Sequence, residues 1–212
     1  PLISNFYSDL GANKDLYQAF KRVSQTELSV QQQHIVNDSL RSFELSGVAL
    51  DGAKSERFKE IKEQLSVLSN QFSKNVLQST NSWKKTVSAN DLKGYGADEF
   101  SKVKKGDHYE ISLQVPVYID LMTYADSSDL REEVYKAYIS RASDIGITSK
   151  EFNNRPIMDE ILKLRSEMSE LVGFSNYAEY STQSKMVESP DAVVEFLNSL
   201  IELSTPQAKA EL

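Results

Sequence analysis

The sequence predicts a mainly α protein, an elongated array of helices carrying one small antiparallel β-ribbon. Three observations predict it. Apolar residues recur at spacings of three and four over most of the 212 positions, the period of a helix with one buried face. Glycine and proline are scarce, at 8 and 5, and fall mainly between those stripes, where helix ends need them. One stretch alone switches to period two. No repeat or long linker divides the chain, so residues 1–212 read as a single helical region with the ribbon inserted at about 84–115.

The elements follow in order. Leu16, Ala19, Phe20 and Val23 place a short helix over Asp15–Val23. Ser29 with Gln32 forms the S-x-x-Q capping pattern, and opens a helix showing Ile35, Val36, Leu40 and Phe43, stopped at Gly47. The longest helix starts near Ser55. Its seam of Phe58, Ile61, Leu65, Leu68 and Phe72 steps by 3, 4, 3 and 4 and extends to about Trp83. Five seam positions are too few for a sustained coiled coil, so a helical hairpin or bundle is expected.

Periodicity then changes. Tyr109, Ile111, Leu113 and Val115 alternate with His108, Glu110, Ser112 and Gln114, a strand with one buried face. Lys84–Ser88 is the candidate partner strand. Helices resume after Pro116. Asp129 with Glu132 reads as a capping-type start, followed by Leu130, Val134, Ala137, Tyr138 and Ala142. Pro156 and Gly173 bracket a stripe of Ile157, Ile161, Leu164, Met168 and Leu171, proline inside the start and glycine past the end. Ser189-Pro190-Asp191 starts another helix, with Val193, Val194, Leu197, Leu200 and Ile201 as its apolar positions. Thr205-Pro206 looks like a further cap that Leu212 cuts short after barely two turns. With no initiating Met, the chain is expected to be a piece of a longer protein.

Composition excludes several function classes. There is no cysteine, hence no disulfide, thiolate metal site or cysteine nucleophile, which fits a reducing compartment. A net charge of −7 argues against a non-specific grip on nucleic acid or anionic membrane. No apolar run approaches the ~20 residues a bilayer needs. Pro1-Leu2-Ile3-Ser4-Asn5 is mixed in polarity, unlike a secretory signal.

Candidate chemistry is thin. His34 and His108 are the two histidines, neither with a histidine partner at helical spacing, so each reads as a surface residue rather than a ligand. No G-x-S-x-G elbow occurs. The acids Glu132-Glu133, Asp159-Glu160, Glu167 and Glu170 lie beside Lys136, Lys163 and Arg165, and read as solvated charge partners one turn apart. Gly94-Tyr95-Gly96 is not a dinucleotide fingerprint, because position 99 is Glu99. Tyr118, Tyr124, Tyr135, Tyr138, Tyr177 and Tyr180 read as core-edge residues, with a peptide groove as the alternative. Lys102–Lys105 reads as a solvated loop. Hence no catalytic, cofactor-binding or metal-binding residue is assigned in this chain.

A resemblance adds what spacing cannot. Leu68–Val76, LSNQFSKNV, then PVYIDLMTYADSSDLREEVYKAYISRASDIG over Pro116–Gly146, and Asn154–Pro190 closely resemble the oligopeptidase A / thimet oligopeptidase family of zinc metallopeptidases. SLRSFELSG at Ser39–Gly47 is similar too, and the likeness is loosest across Leu92–Asp107. The resemblance implies a cytoplasmic, two-lobed, almost wholly helical peptidase that cleaves short peptides in a channel between its lobes. It further implies one Zn2+ held by H-E-x-x-H and a downstream glutamate, in the family's C-terminal half. This sequence holds no H-E-x-x-H, so no catalytic or zinc-binding residue carries over. The chain is then expected to be part of the N-terminal lobe, supplying scaffold and channel wall, and inactive by itself. Its expected partners are peptide substrates and the C-terminal catalytic half. A stand-alone helical interaction module is the competing expectation, decided by whether an H-E-x-x-H or a stop follows Leu212.

Overall fold

The computed structural model describes residues 2–146 and 149–212, and the side chains of these outside residues 2–5, 8 and 149. Along them run α1 (Leu2–Gly11), α2 (Lys14–Val23), α3 (Val30–Leu45), α4 (Gly52–Ser82), β1 (Lys84–Val87), α5 (Ala97–Val103), β2 (Lys104–Lys105) and β3 (His108–Ser112). There follow α6 (Val115–Tyr124), α7 (Ser128–Ile139), α8 (Ser149–Phe152), α9 (Arg155–Leu171), α10 (Tyr177–Thr182) and α11 (Pro190–Glu211). The protein is thus mainly α with one small antiparallel sheet. The chain divides into two compact units, Pro1–Leu65 with Leu162–Leu212, and Ser66–Ile161.

In the first unit the caps expected from the sequence act as such. The Ser29 hydroxyl accepts from the Gln32 amide, and the Gln32 side chain accepts from the Ser29 amide at 2.9 Å. Each bond satisfies a donor that the helix start leaves orphaned. Gly47 leaves α3 in the left-handed region at φ 80°. The α2–α3 contact centres on Tyr17, Phe43 and Val48, with the Tyr17 and Phe43 ring centroids 5.8 Å apart. Tyr17 donates its hydroxyl to Glu44 at 2.8 Å, so a residue outside the expected stripe of α2 is its buried one. Ile35, read as part of the α3 stripe with Phe43, is exposed.

Phe58 and Ile61 of α4, and Leu164 and Met168 of α9, are buried in this unit. Leu65 is only half-buried. Gly173, at φ 91°, closes α9 while its amide and that of Phe174 donate back to Glu170 and Ser169. Ser189 caps α11 by accepting from Ala192 at 3.1 Å. Pro206 does not start a new helix. It lies inside α11, exposed, where water can satisfy the carbonyl its missing N–H leaves free. Thr205 is no cap either, because its hydroxyl donates one turn back to Ile201 at 2.5 Å.

In the second unit the expected ribbon is a three-stranded sheet in the order β1-β3-β2. Lys84 pairs with Ser112 and Val87 with Tyr109. The third strand overturns the loop expected at Lys102–Lys105. Val103 is buried beside the sheet, and Lys104 pairs with Tyr109. Two exposed lysines on a very short edge strand discourage further pairing. Ile111 and Leu113 point into a core with Trp83, Leu92, Leu121 and Val134, whereas Val115 is exposed at the start of α6. The cap of α7 is Ser127, accepting from Leu130 at 3.3 Å, and Asp129 sits in the first turn instead.

Candidate functional site

Most of the charged candidates have structural partners. His34 on α3 and His108 at the start of β3 are exposed. Among the described residues no group of three or more His, Cys, Asp or Glu side chains lies together. Glu132 pairs with Lys136 at 2.5 Å and Asp159 with Arg155 at 3.5 Å, each one helical turn apart. Glu133 reaches Lys85 on β1.

Glu167 departs from the expected pattern. It is held by Arg57, 110 residues away, through Nε at 2.6 Å and Nη2 at 2.7 Å. Such a two-pronged fork is the strongest form of carboxylate recognition. Arg57's hydrogen bonds hold the Glu167 carboxyl below its ordinary value of 4.5. A depressed carboxylate lends stability above its unfolded value and loses it as pH falls through the folded one. Glu167→Gln is therefore expected to melt below the wild type at pH 7, with the difference closing as pH falls below about 4.5. Melting curves of both proteins between pH 7 and pH 3 check this. A gap that stays constant would mean the ion pair contributes nothing.

Gly94 proves to be a packing residue. It sits at φ 99°, and a Cβ there would stand 2.0 Å from the Tyr124 carbonyl oxygen. Asp126 donates its amide to the Lys93 carbonyl at 2.7 Å beside it. The neighbouring Tyr95 phenol is buried and finds no hydrogen-bond partner among the described residues. Burial first, then the Asp120 and Glu99 carboxylates, push it up to about 12.

The second unit concentrates its polar groups on one seam. The 3–4 spacing of α4 continues past Phe72 to Asn75 and Ser79, both buried. The apolar seam becomes polar without changing period. Asn75 donates to the Asn154 side chain at 2.9 Å, and Asn154 donates to the Phe72 carbonyl at 3.1 Å. Ser79 accepts from the Ala142 amide at 3.1 Å, while the Ala142 carbonyl accepts from the Asn154 amide at 2.8 Å. These bonds hold Ala142 at φ 50°, the one left-handed non-glycine residue among those described. That conformation costs roughly 1–2 kcal/mol and needs such support.

Beside Ala142 lies Arg141. Tyr118 and Tyr138 stack at 3.8 Å with 11° between planes, and the Arg141 guanidinium carbon lies 3.5 Å from the Tyr138 centroid. At those distances Tyr118 and Arg141 must take opposite faces of Tyr138. Burial pushes the Tyr118 phenol up, and the neighbouring phenols Tyr135 and Tyr138 add to it. Two tyrosines read as core-edge residues thus orient an arginine. Sequence reasoning passed over Arg141, Asn75, Ser79 and Asn154. The available signal was the unbroken spacing from Phe72 to Asn75 and Ser79.

Comparison with known proteins matches this framework to a class. Residues 1–55 match the N-terminal domain of neurolysin and thimet oligopeptidase, and residues 121–212 match peptidase family M3. The chain is thus similar to peptidase family M3 in its C-terminal part and to the thimet oligopeptidase N-terminal domain at its start. Within that class it is similar to oligopeptidase A of Salmonella typhimurium and of Escherichia coli, each 39% identical over 100% of this chain and 33% of the relative. It is also 37% identical to a probable cytosolic oligopeptidase A of Arabidopsis thaliana, over 92% of this chain and 30% of that protein. The chain spans about a third of the length of these relatives.

Proposed function

We propose that this chain is part of a zinc-dependent oligopeptidase that hydrolyses short peptides in the cytoplasm. Both compact units then belong to its N-terminal lobe, as scaffold and substrate-channel wall. The observation that carries the reading is similarity along the whole chain to proteins named oligopeptidase A. The described residues do not fit a zinc site, since no group of three potential ligands lies together among them. No hydrolytic step is therefore assigned to them. Zinc ligands are expected from the catalytic half of the same protein. The apolar face of α11 supports a further packing partner: Phe196, Leu200 and Leu203 are 61%, 45% and 78% exposed. Contiguous apolar exposure of this kind marks an interaction surface. One relative is named cytosolic, and among the described residues no helix is long and apolar enough to cross a membrane.

The test is metal analysis after dialysis, together with cleavage of a quenched fluorescent peptide. The 212-residue chain is expected to hold no stoichiometric zinc and to cleave nothing. A protein extended through a following H-E-x-x-H should do both, with turnover abolished by a chelator. One zinc per short chain, or chelator-sensitive turnover by it, overturns the scaffold reading. A stop in place of that motif decides for a free-standing interaction module.

A further inference from the structure

Arg141 carries a charge that none of the described residues balances. It makes no ion pair among the described residues. Its one hydrogen bond among those residues is a long one, Nη1 to the Thr80 hydroxyl at 3.4 Å, and its buried Nε finds no partner among them. It borders a cavity of about 260 Å3 whose walls include apolar Phe72, Val76 and Met158. Arg155, the second cation there, is already engaged, with Asp144 at 3.8 Å and Asp159 at 3.5 Å. Asp144 is the one acid among the described residues that line the cavity. Arg141 is thus the lining cation that no described carboxylate meets.

We infer that this cavity binds the C-terminal residue of a short peptide, its carboxylate on Arg141 and its apolar side chain against Phe72, Val76 and Met158. The inference rests on the peptide-handling reading above and adds which part of the peptide is recognised. Three features support it. A guanidinium presents a planar fork that matches a carboxylate, and the resulting charge-assisted bonds are about twice as strong as neutral ones. Stacking on Tyr138 has already fixed that fork, so little side-chain freedom remains to be lost on binding. The volume lies below the roughly 300–1,000 Å3 of pockets for drug-sized ligands, which suits one residue and not an extended segment. The three apolar walls favour a carboxylate carried on an apolar group over a small, strongly hydrated anion.

The experiment measures fluorescence anisotropy of one N-terminally labelled tripeptide ending in leucine, as the free acid and as the C-terminal amide. The protein is the 212-residue chain, wild type and with Arg141→Lys or Arg141→Met. The free acid is expected to bind about ten-fold tighter than the amide. Arg141→Met should bring the two within two-fold, and Arg141→Lys, which keeps the charge and loses the fork, should fall between. Equal affinities for acid and amide in the wild type, or no binding of either, overturn the site, and that comparison requires no variant to fold. So does an acid preference that survives in Arg141→Met with its helical circular dichroism intact. Failure of peptide hydrolysis by the longer protein, with the acid preference intact, would fell the peptidase reading and leave this site standing.

Discussion

Ile61→Asp and Leu164→Asp are each expected to cost several kcal/mol, while Leu65→Asp costs much less. Ile61 and Leu164 are 0% and 1% exposed, so an aspartate there is an ionised carboxylate with neither water nor partner. That is among the few mechanisms that reach about 3–5 kcal/mol in one substitution. Domains of ordinary stability have only about 5–15 kcal/mol to lose. For a chain of this size, the loss corresponds to a fall in melting midpoint of about 10 °C or more. Leu65 lies on the same seam but is half-buried, and its carboxylate keeps part of its hydration. Melting followed by helical circular dichroism ranks the three variants. Equal midpoints for all three would mean that the seam is not packed as described.

Gly94→Ala is expected to cost about 3 kcal/mol or more, an unusual loss for one methyl group. A Cβ at that position would stand 2.0 Å from the Tyr124 carbonyl oxygen, and the residue also sits at φ 99°. The obstacle is backbone, which cannot rotate away as a side chain can. Relief requires the segment around Gly94 to move off the end of α6, stretching the Asp126 to Lys93 bond. Gly106→Ala is the control, because Gly106 has positive φ but nothing within 4 Å of its would-be Cβ. It should lose only the left-handed strain, roughly 1–2 kcal/mol. Denaturant titration of both variants separates steric contact from backbone strain. Equal losses would remove the close approach as the reason for glycine at 94.

The parts of the fold legible in the sequence are those encoded by neighbours in the chain. The Ser29–Gln32 box, Ser189-Pro190, Gly173 and the alternation over His108–Leu113 use contacts within a few residues, so spacing suffices to read them. Tyr17 lies outside the expected stripe of Leu16, Ala19, Phe20 and Val23, and its burial depends on Glu44, 27 residues away, accepting its hydroxyl. The Arg57–Glu167 fork joins residues 110 apart, and no helical spacing predicts it. On α11, Leu197, Leu200 and Ile201 keep the right period yet remain exposed, because periodicity reports a face and not what covers it. The candidate site was legible least of all. Arg141 is an ordinary helix-end cation in sequence, and its character comes from Tyr138 beneath it and from the absence of a carboxylate partner among the described residues. Recognition of the family rested on long collinear segments instead, which carry information that no single motif here does.

The buried amide of α4 also restricts where its neighbours can sit along it. A seam made wholly of leucine presents nearly the same surface every seven residues, about 10.5 Å along the axis, so a partner displaced by one repeat still finds an apolar bed. Asn75 removes that freedom. Its amide is satisfied only where Asn154 arrives, and where Gln71 can donate to it from one turn below at 2.7 Å. A displaced arrangement would strand a buried donor at about 1–3 kcal/mol, enough to make it a minor species. Asn75 acts like the dowel in a joint: it adds less adhesion than a leucine would and decides which alignment is assembled.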